Sequence, residues 1–192
     1  MSSIGRRAFA RTLLLACGLA AAGACDNDVA PTAAPPEKAQ LSLFEPTAYY
    51  VIRNVASGKV MDVSNNSTLN GAWIHQWEYE GLANQQWRIT DLGNGYYKIV
   101  ARHSGKALDV ESASQSDGAR IHQWSYSGLT NQQWRIYPCF CLNGGYSITA
   151  RHSGKAAALT SGSLYANGLG VRQYAYAGGS VPTQLWTFEQ VQ

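Results

Sequence analysis

The chain has 192 residues, with 15 Lys+Arg against 12 Asp+Glu and a formal charge of +3. Three of the cations, Arg6, Arg7 and Arg11, lie in the first eleven residues, ahead of every acidic residue, so the remainder carries twelve of each sign and is neutral. This excludes the basic footprint of a nucleic-acid binder, and abundant aromatics and glycines with few charges suit a turn-rich β protein.

Residues 1–25 read as an export signal: a basic n-region, then an apolar stretch from Thr12 to Ala24. That stretch is too short to span a bilayer, which needs about twenty residues. Ala22-Gly23-Ala24-Cys25 resembles a bacterial lipobox, with Ala22 where Leu is usual. The resemblance implies cleavage before Cys25, acylation of its sulfur and a lipid anchor in the cell envelope. Leu14-Leu15-Ala16-Cys17 fits the consensus better but leaves a very short apolar core. Plain secretion after cleavage near Ala24 is the alternative. Arg6-Arg7-Ala8-Phe9 also resembles a twin-arginine motif, with Ala10 in place of Leu. Residues 26–46 carry Pro31, Pro35, Pro36 and Pro46 without apolar periodicity and are expected to form an extended tether.

From residue 47 the chain repeats itself. IHQWEYEGLANQQWRI at 74–89 and IHQWSYSGLTNQQWRI at 121–136 differ at three positions. RHSGKA occurs at both 102–107 and 151–156, and Ser57-Gly58-Lys59 is an earlier copy of the same turn. Gln85-Gln86-Trp87, Gln132-Gln133-Trp134 and Gln184-Leu185-Trp186 mark three repeats, 47–94, 95–144 and 145–192. In each, Tyr and Ile alternate (50 and 52, 97 and 99, 146 and 148), the period-two mark of a half-buried strand. A Ser-Gly-Lys turn follows, then a second short strand, 60–63 or 107–110. No window carries a sustained helical stripe. Three repeats are too few for a propeller, so closure into a threefold all-β structure is expected.

Three Q-x-W segments in register, with an aspartate in the second strand of two repeats, resemble the ricin B-chain-like β-trefoil lectins and carbohydrate-binding modules. The resemblance covers essentially all of 47–192. It implies a β-trefoil of about twelve strands, a six-stranded barrel capped by three hairpins, with Trp87, Trp134 and Trp186 in the core. It also implies a non-catalytic glycan-binding protein without cofactor or metal, read here as a monomer.

A sugar asks for an acceptor for its hydroxyls and an aromatic face for its C–H surface. The first repeat offers Asp62, Trp77, Asn84 and Gln85; the second offers Asp109, Trp124, Asn131 and Gln132. By resemblance, each aspartate accepts from two adjacent hydroxyls and each asparagine binds one of them. The indole is the stacking platform, and Gln85 and Gln132 support the pocket and tie the strands. His75 and His122 read equally as ligand contacts or as rim residues, and Tyr79 and Tyr126 compete with the indoles as platforms. The third repeat places Ala158, Arg172, Tyr174 and Thr183 where the second has Asp109, His122, Trp124 and Asn131. A charged hydrogen bond is worth about 1.5–3 kcal/mol, or about ten- to hundredfold in affinity, so this third site is expected to be silent. Two sites on one domain suit a repeating glycan by raising effective concentration.

A glycosidase needs two carboxylates about 5–10 Å apart, whereas Asp62 and Asp109 are copies in different repeats. His103-Ser104 and His152-Ser153 sit in turns without an orienting acid, and no nucleotide or zinc motif occurs. Cys139 and Cys141 could pair, bridge chains or stay reduced. The rival reading is a β-trefoil that binds or inhibits a protein; it has no need for the twofold grouping of acid, aromatic and amide.

Overall fold

The computed structural model describes residues 43–139 and 145–192. The leader with Cys17 and Cys25, the tether up to residue 42 and Cys141 lie outside the described residues. Cys139 is disulfide-bonded, so it is not in the reduced state.

The described residues form twelve strands and five single-turn 3-10 segments. The first repeat supplies β1 (Tyr50–Asn54), β2 (Val60–Val63), β3 (Ile74–Trp77) and β4 (Trp87–Asp91). The second supplies β5 (Tyr97–Ala101), β6 (Ala107–Val110), β7 (Ile121–Trp124) and β8 (Trp134–Pro138). The third supplies β9 (Tyr146–Ala150), β10 (Ala156–Leu159), β11 (Val171–Tyr174) and β12 (Leu185–Gln190).

Strands β1, β4, β5, β8, β9 and β12 pair antiparallel in that cyclic order, with β12 returning to β1. Closure leaves the barrel without an exposed edge. The pairs β2–β3, β6–β7 and β10–β11 form three hairpins. This is the β-trefoil that the family resemblance implied, and the threefold closure that the repeats led one to expect. In the Ser-Gly-Lys turns, Gly58, Gly105 and Gly154 hold φ of 73°, 67° and 68°, where a Cβ would be strained.

Ile52, Ile99 and Ile148, one per repeat, are fully buried in the barrel. Below them lie Trp87, Trp134 and Trp186, each 0% exposed. Burying an indole requires a partner for its N–H. Each Nε1 donates to a carbonyl of the same repeat's second strand, Met61, Leu108 or Ala157, at 3.1, 3.0 and 2.9 Å. The tryptophans therefore fill the core and also hold each hairpin to the barrel.

The packed body starts earlier than the expected end of the tether. Phe44 is buried, with ring contacts at 5.2, 5.5 and 4.9 Å to Tyr50, Tyr97 and Phe188. The Glu45 amide donates to the Tyr50 hydroxyl at 2.7 Å. One aromatic plug suffices to draw this segment onto the barrel.

The hairpins are clasped to one another in a cycle. Gln76 Nε2 donates to the carbonyls of Leu164 and Ala166 in the third repeat. Gln123 does the same to Ser67 and Leu69 of the first, and Gln173 to Ser114 and Ser116 of the second. All three glutamines are 0% exposed. Asn70, Asp117 and Asn167 add a second cycle, each accepting a backbone N–H from the hairpin end of another repeat: Ser125, Ala175 and Glu78.

Candidate functional site

The two short strands of each hairpin fix the site. Register sets Asp62 opposite His75 and Asp109 opposite His122. Both aspartates are 5% exposed, and a buried carboxylate is tolerable only when hydrogen-bonded. Asp62 Oδ1 lies 2.8 Å from His75 Nε2, and Oδ2 accepts from Asn84 Nδ2 at 3.0 Å. Asp109 makes the same two bonds, at 2.9 Å with His122 and 3.1 Å with Asn131. Each asparagine also donates to the carbonyl after the aspartate, Val63 or Val110. Asn84 Oδ1 is buried without a hydrogen-bond partner among the described residues, an acceptor left open beside the acid.

The imidazoles connect the acid to the aromatic. His75 and Trp77 stack at 5.3 Å and 29°, and His122 and Trp124 at 5.4 Å and 25°. One edge of each indole comes close to a neighbouring repeat: a Cβ on Gly71 would lie 3.8 Å from Trp124 Cζ3, and one on Gly168 would lie 3.8 Å from Trp77 Cζ3. Trp124 is 43% exposed, so a broad face meets solvent.

Two cavities open over these floors. One, about 230 Å³, is lined by Asp62, His75, Trp77 and Asn84, with Asn65, Asn66, Glu80 and Leu82 at its rim. The other, about 410 Å³, is lined by Asp109, His122, Trp124, Asn131 and Gln132, with Glu111, Ser112, Ala113, Ser127 and Leu129 around them. The floors are copies and the rims differ. Glu80 Oε1 accepts from Trp77 Nε1 at 3.3 Å, where the second repeat has Ser127 bonded to Gln132.

Of the residues singled out from sequence, Asp62, His75, Trp77 and Asn84 meet in one cavity and Asp109, His122, Trp124 and Asn131 in the other. Gln85 spends both ends of its amide on backbone, accepting from Glu80 N and donating to Glu78 O. Gln132 repeats this with Ser127 and Ser125. These two glutamines brace the loop behind the pocket. Tyr79 and Tyr126 line neither cavity; Tyr79 receives the Gln86 amide and Tyr126 lies under the Lys98 ammonium.

In the third repeat Ala158 faces Arg172 across β10–β11. Arg172 donates to the Gly118 carbonyl at 2.7 Å. No carboxylate or carboxamide stands where Asp109 and Asn131 stand in the second repeat.

The turn histidines do other work. His103 Nε2 contacts the Ser67 carbonyl and His152 Nε2 the Ser114 carbonyl, each at 2.9 Å. Ser104 and Ser153 donate to Gln123 and Gln173, not to those histidines.

Residues 65 and 66, and again 112 and 113, hold left-handed φ of 57°, 50°, 55° and 49° without glycine. Strain of this kind gathers at ligand clamps. Sequence reading missed it, and it missed the clasp glutamines. Gln76, Gln123 and Gln173 do carry a sequence signal: each is the third residue of IHQW, IHQW or VRQY, and it persists in the repeat that lost acid and amide.

The profile of the family described as ricin-type β-trefoil lectin domain-like matches residues 39–124 and 130–192. Among curated proteins, the α subunit of clotting factor G from Tachypleus tridentatus is 41% identical over 51 residues, 27% of this chain. The matched part spans 8% of that subunit. Among solved structures, a designed threefold-symmetric protein, ThreeFoil, is 53% identical over 73% of this chain and 96% of its own, with a TM-score of 0.67. An exo-β-1,3-galactanase from Clostridium thermocellum is 39% identical over 76% of this chain and 30% of its own, with a TM-score of 0.70.

Proposed function

This chain belongs to the ricin-type β-trefoil lectin domain-like family, and from that premise we propose that it is a non-catalytic carbohydrate-binding protein with two working pockets. The observation that carries the reading is the twice-built floor of aspartate, histidine and asparagine beside an indole. On each aspartate, one bond per oxygen is used internally, leaving lone pairs for two vicinal hydroxyls. The indole supplies the apolar face. In this reading His75 and His122 orient the acid and seat the indole, and Gln85 and Gln132 act through the loops they brace. The third repeat is silent because Ala158 and Thr183 accept nothing comparable.

The two acids sit over separate cavities, each with an aromatic wall, an arrangement that serves holding rather than cleavage. The galactanase similarity makes galactose-type glycans the first ligands to test. We further propose that residues 1–25 export the protein and that Cys25 anchors it in the cell envelope, with 26–42 as the tether. Loss of detergent-phase partitioning in Cys25→Ser checks the anchor.

The deciding experiment is a glycan array on the protein beside its Asp62→Ala/Asp109→Ala variant. A glycan bound by the first and lost by the folded variant supports the reading. No binding by the folded parent, or equal binding by the variant, moves the search to protein partners.

A further inference from the structure

Away from the two pockets, on the barrel, two guanidinium groups converge on one phenol ring. Arg135 on β8 lies 4.8 Å from the Tyr96 centroid and 5.2 Å from that of Tyr137. Arg151, just beyond β9, lies 4.4 Å from Tyr96. These residues and Tyr176 line a cavity of about 260 Å³ that no carboxylate lines. Among the described residues, neither arginine is in an ion pair. Arg151 spends one nitrogen on Gln133 Oε1 at 2.5 Å; the Arg135 guanidinium has no hydrogen-bond partner among the described residues.

Two like charges held this close repel each other, and stacking on an aromatic face recovers only part of the cost. A guanidinium seated on a ring keeps its in-plane N–H donors directed outward, in a fork that fits the oxygens of an acid group. An anion entering the cavity would offset that repulsion and occupy those donors.

The arrangement has a copy and a lapsed copy. Arg88 and Arg102 lie 4.7 Å from the Tyr49 centroid. There Arg88 already donates to the Tyr49 hydroxyl, and Glu45 lines the adjoining cavity beside Arg102. At the third junction the corresponding residues are Gly145, Thr187 and Val55, with no cation. The donors are thus most available at Arg135 and Arg151.

We propose that Arg135 and Arg151, with Tyr96 and Tyr137, form a separate site for the sulfate or carboxylate group of an acidic glycan. The anion-binding part stands independently; its assignment to a glycan rests on the carbohydrate reading above.

The first measurement is a titration with inorganic sulfate, followed by NMR of the arginine Nε–H signals, against sodium chloride at matched ionic strength. Saturable shifts of Arg135 and Arg151 with sulfate alone, lost in Arg135→Gln/Arg151→Gln, are expected. Asp62→Ala/Asp109→Ala should leave them intact, which separates this site from the pockets. Shifts that track ionic strength, or that survive in the glutamine variant, overturn the site. The second measurement compares a sulfated galactan with the same polymer after desulfation. About tenfold tighter binding of the sulfated form is expected, abolished by the glutamine pair and only partly kept by Arg135→Lys/Arg151→Lys, which retains the charge but not the fork. Equal binding of the two polymers overturns the inference and leaves the carbohydrate reading standing. Binding to phosphatidylglycerol vesicles in place of either polymer overturns the glycan assignment, because the acid group would then be a lipid phosphate.

Discussion

Asp109 Oδ1 and His122 Nε2 lie 2.9 Å apart, and the same imidazole stacks on Trp124, so one histidine contacts both the carboxylate and the indole of its pocket. The first repeat does the same with Asp62, His75 and Trp77. Sugar titrations should saturate at two per chain. Asp109→Asn replaces an acceptor by a donor and should leave one site, weakening the other at least tenfold. The folded variant should lose the Trp124 part of the ligand-induced fluorescence change, since Trp87, Trp134 and Trp186 are sealed from ligand. Two full-affinity sites in Asp109→Asn would contradict the assignment.

Gln123, itself 0% exposed, makes three hydrogen bonds, to Ser67 O, Leu69 O and from Ser104. Gln123→Leu should lower unfolding free energy by about 2–4 kcal/mol in urea titrations. Gln76 makes two such bonds, and its Oε1 is buried without a partner. Gln76→Leu should therefore cost less. Reversal of that order would show that the number of bonds made does not set the strength of each clasp.

Arg53 grips Glu189 with two bonds, 2.6 and 2.9 Å, joining β1 to β12. The Arg53 hydrogen bond holds the Glu189 carboxyl below its ordinary 4.5, although partial burial pulls the other way. A depressed folded pKa stabilises above 4.5, and the gain is lost as pH falls through the folded value below 4.5. Glu189 is half exposed, so solvent screens the pair and Glu189→Gln should cost about 0.5–1 kcal/mol at pH 7. Wild type and variant should converge by about pH 2. A difference that persists there would point to packing, not charge.

Ala113 holds φ of 49° at the rim of the second pocket. The left-handed region costs an alanine about 1–2 kcal/mol, and glycine recovers that less its own backbone entropy of about 0.5–1. Ala113→Gly should raise stability by roughly 0.5–1 kcal/mol in thermal or urea unfolding. Asn66, at φ of 50°, tolerates the region better, so Asn66→Gly should gain less.

The strands and the core tryptophans were legible because each appears three times, at intervals of 47 to 52 residues, and repetition separates signal from accident. The acid and amide stood out because the pair recurs in two repeats, Asp62 with Asn84 and Asp109 with Asn131. The choice between Trp77 and Tyr79 was not, because residues two apart share a face in a strand. β3 ends at Trp77, so Tyr79 leaves that face. Phe44 was missed because a single anchoring ring has no period. Ser112 and Ala113 gave no warning of their backbone, since neither belongs to the residue types that mark a left-handed turn. The histidines could not be assigned because stacking on an indole and bonding to an acid both follow from register, which emerges only when the hairpin closes.

The floor of each pocket is furnished by one repeat, whereas each clasp spans two. Pocket residues can therefore be exchanged one repeat at a time without touching the bonds that join the repeats. The third repeat illustrates this: its aspartate and asparagine positions hold Ala158 and Thr183, yet Gln173 still reaches Ser114 and Ser116. On the proposed reading, valency in this architecture can be set site by site, while the residues that join neighbours answer to two repeats at once.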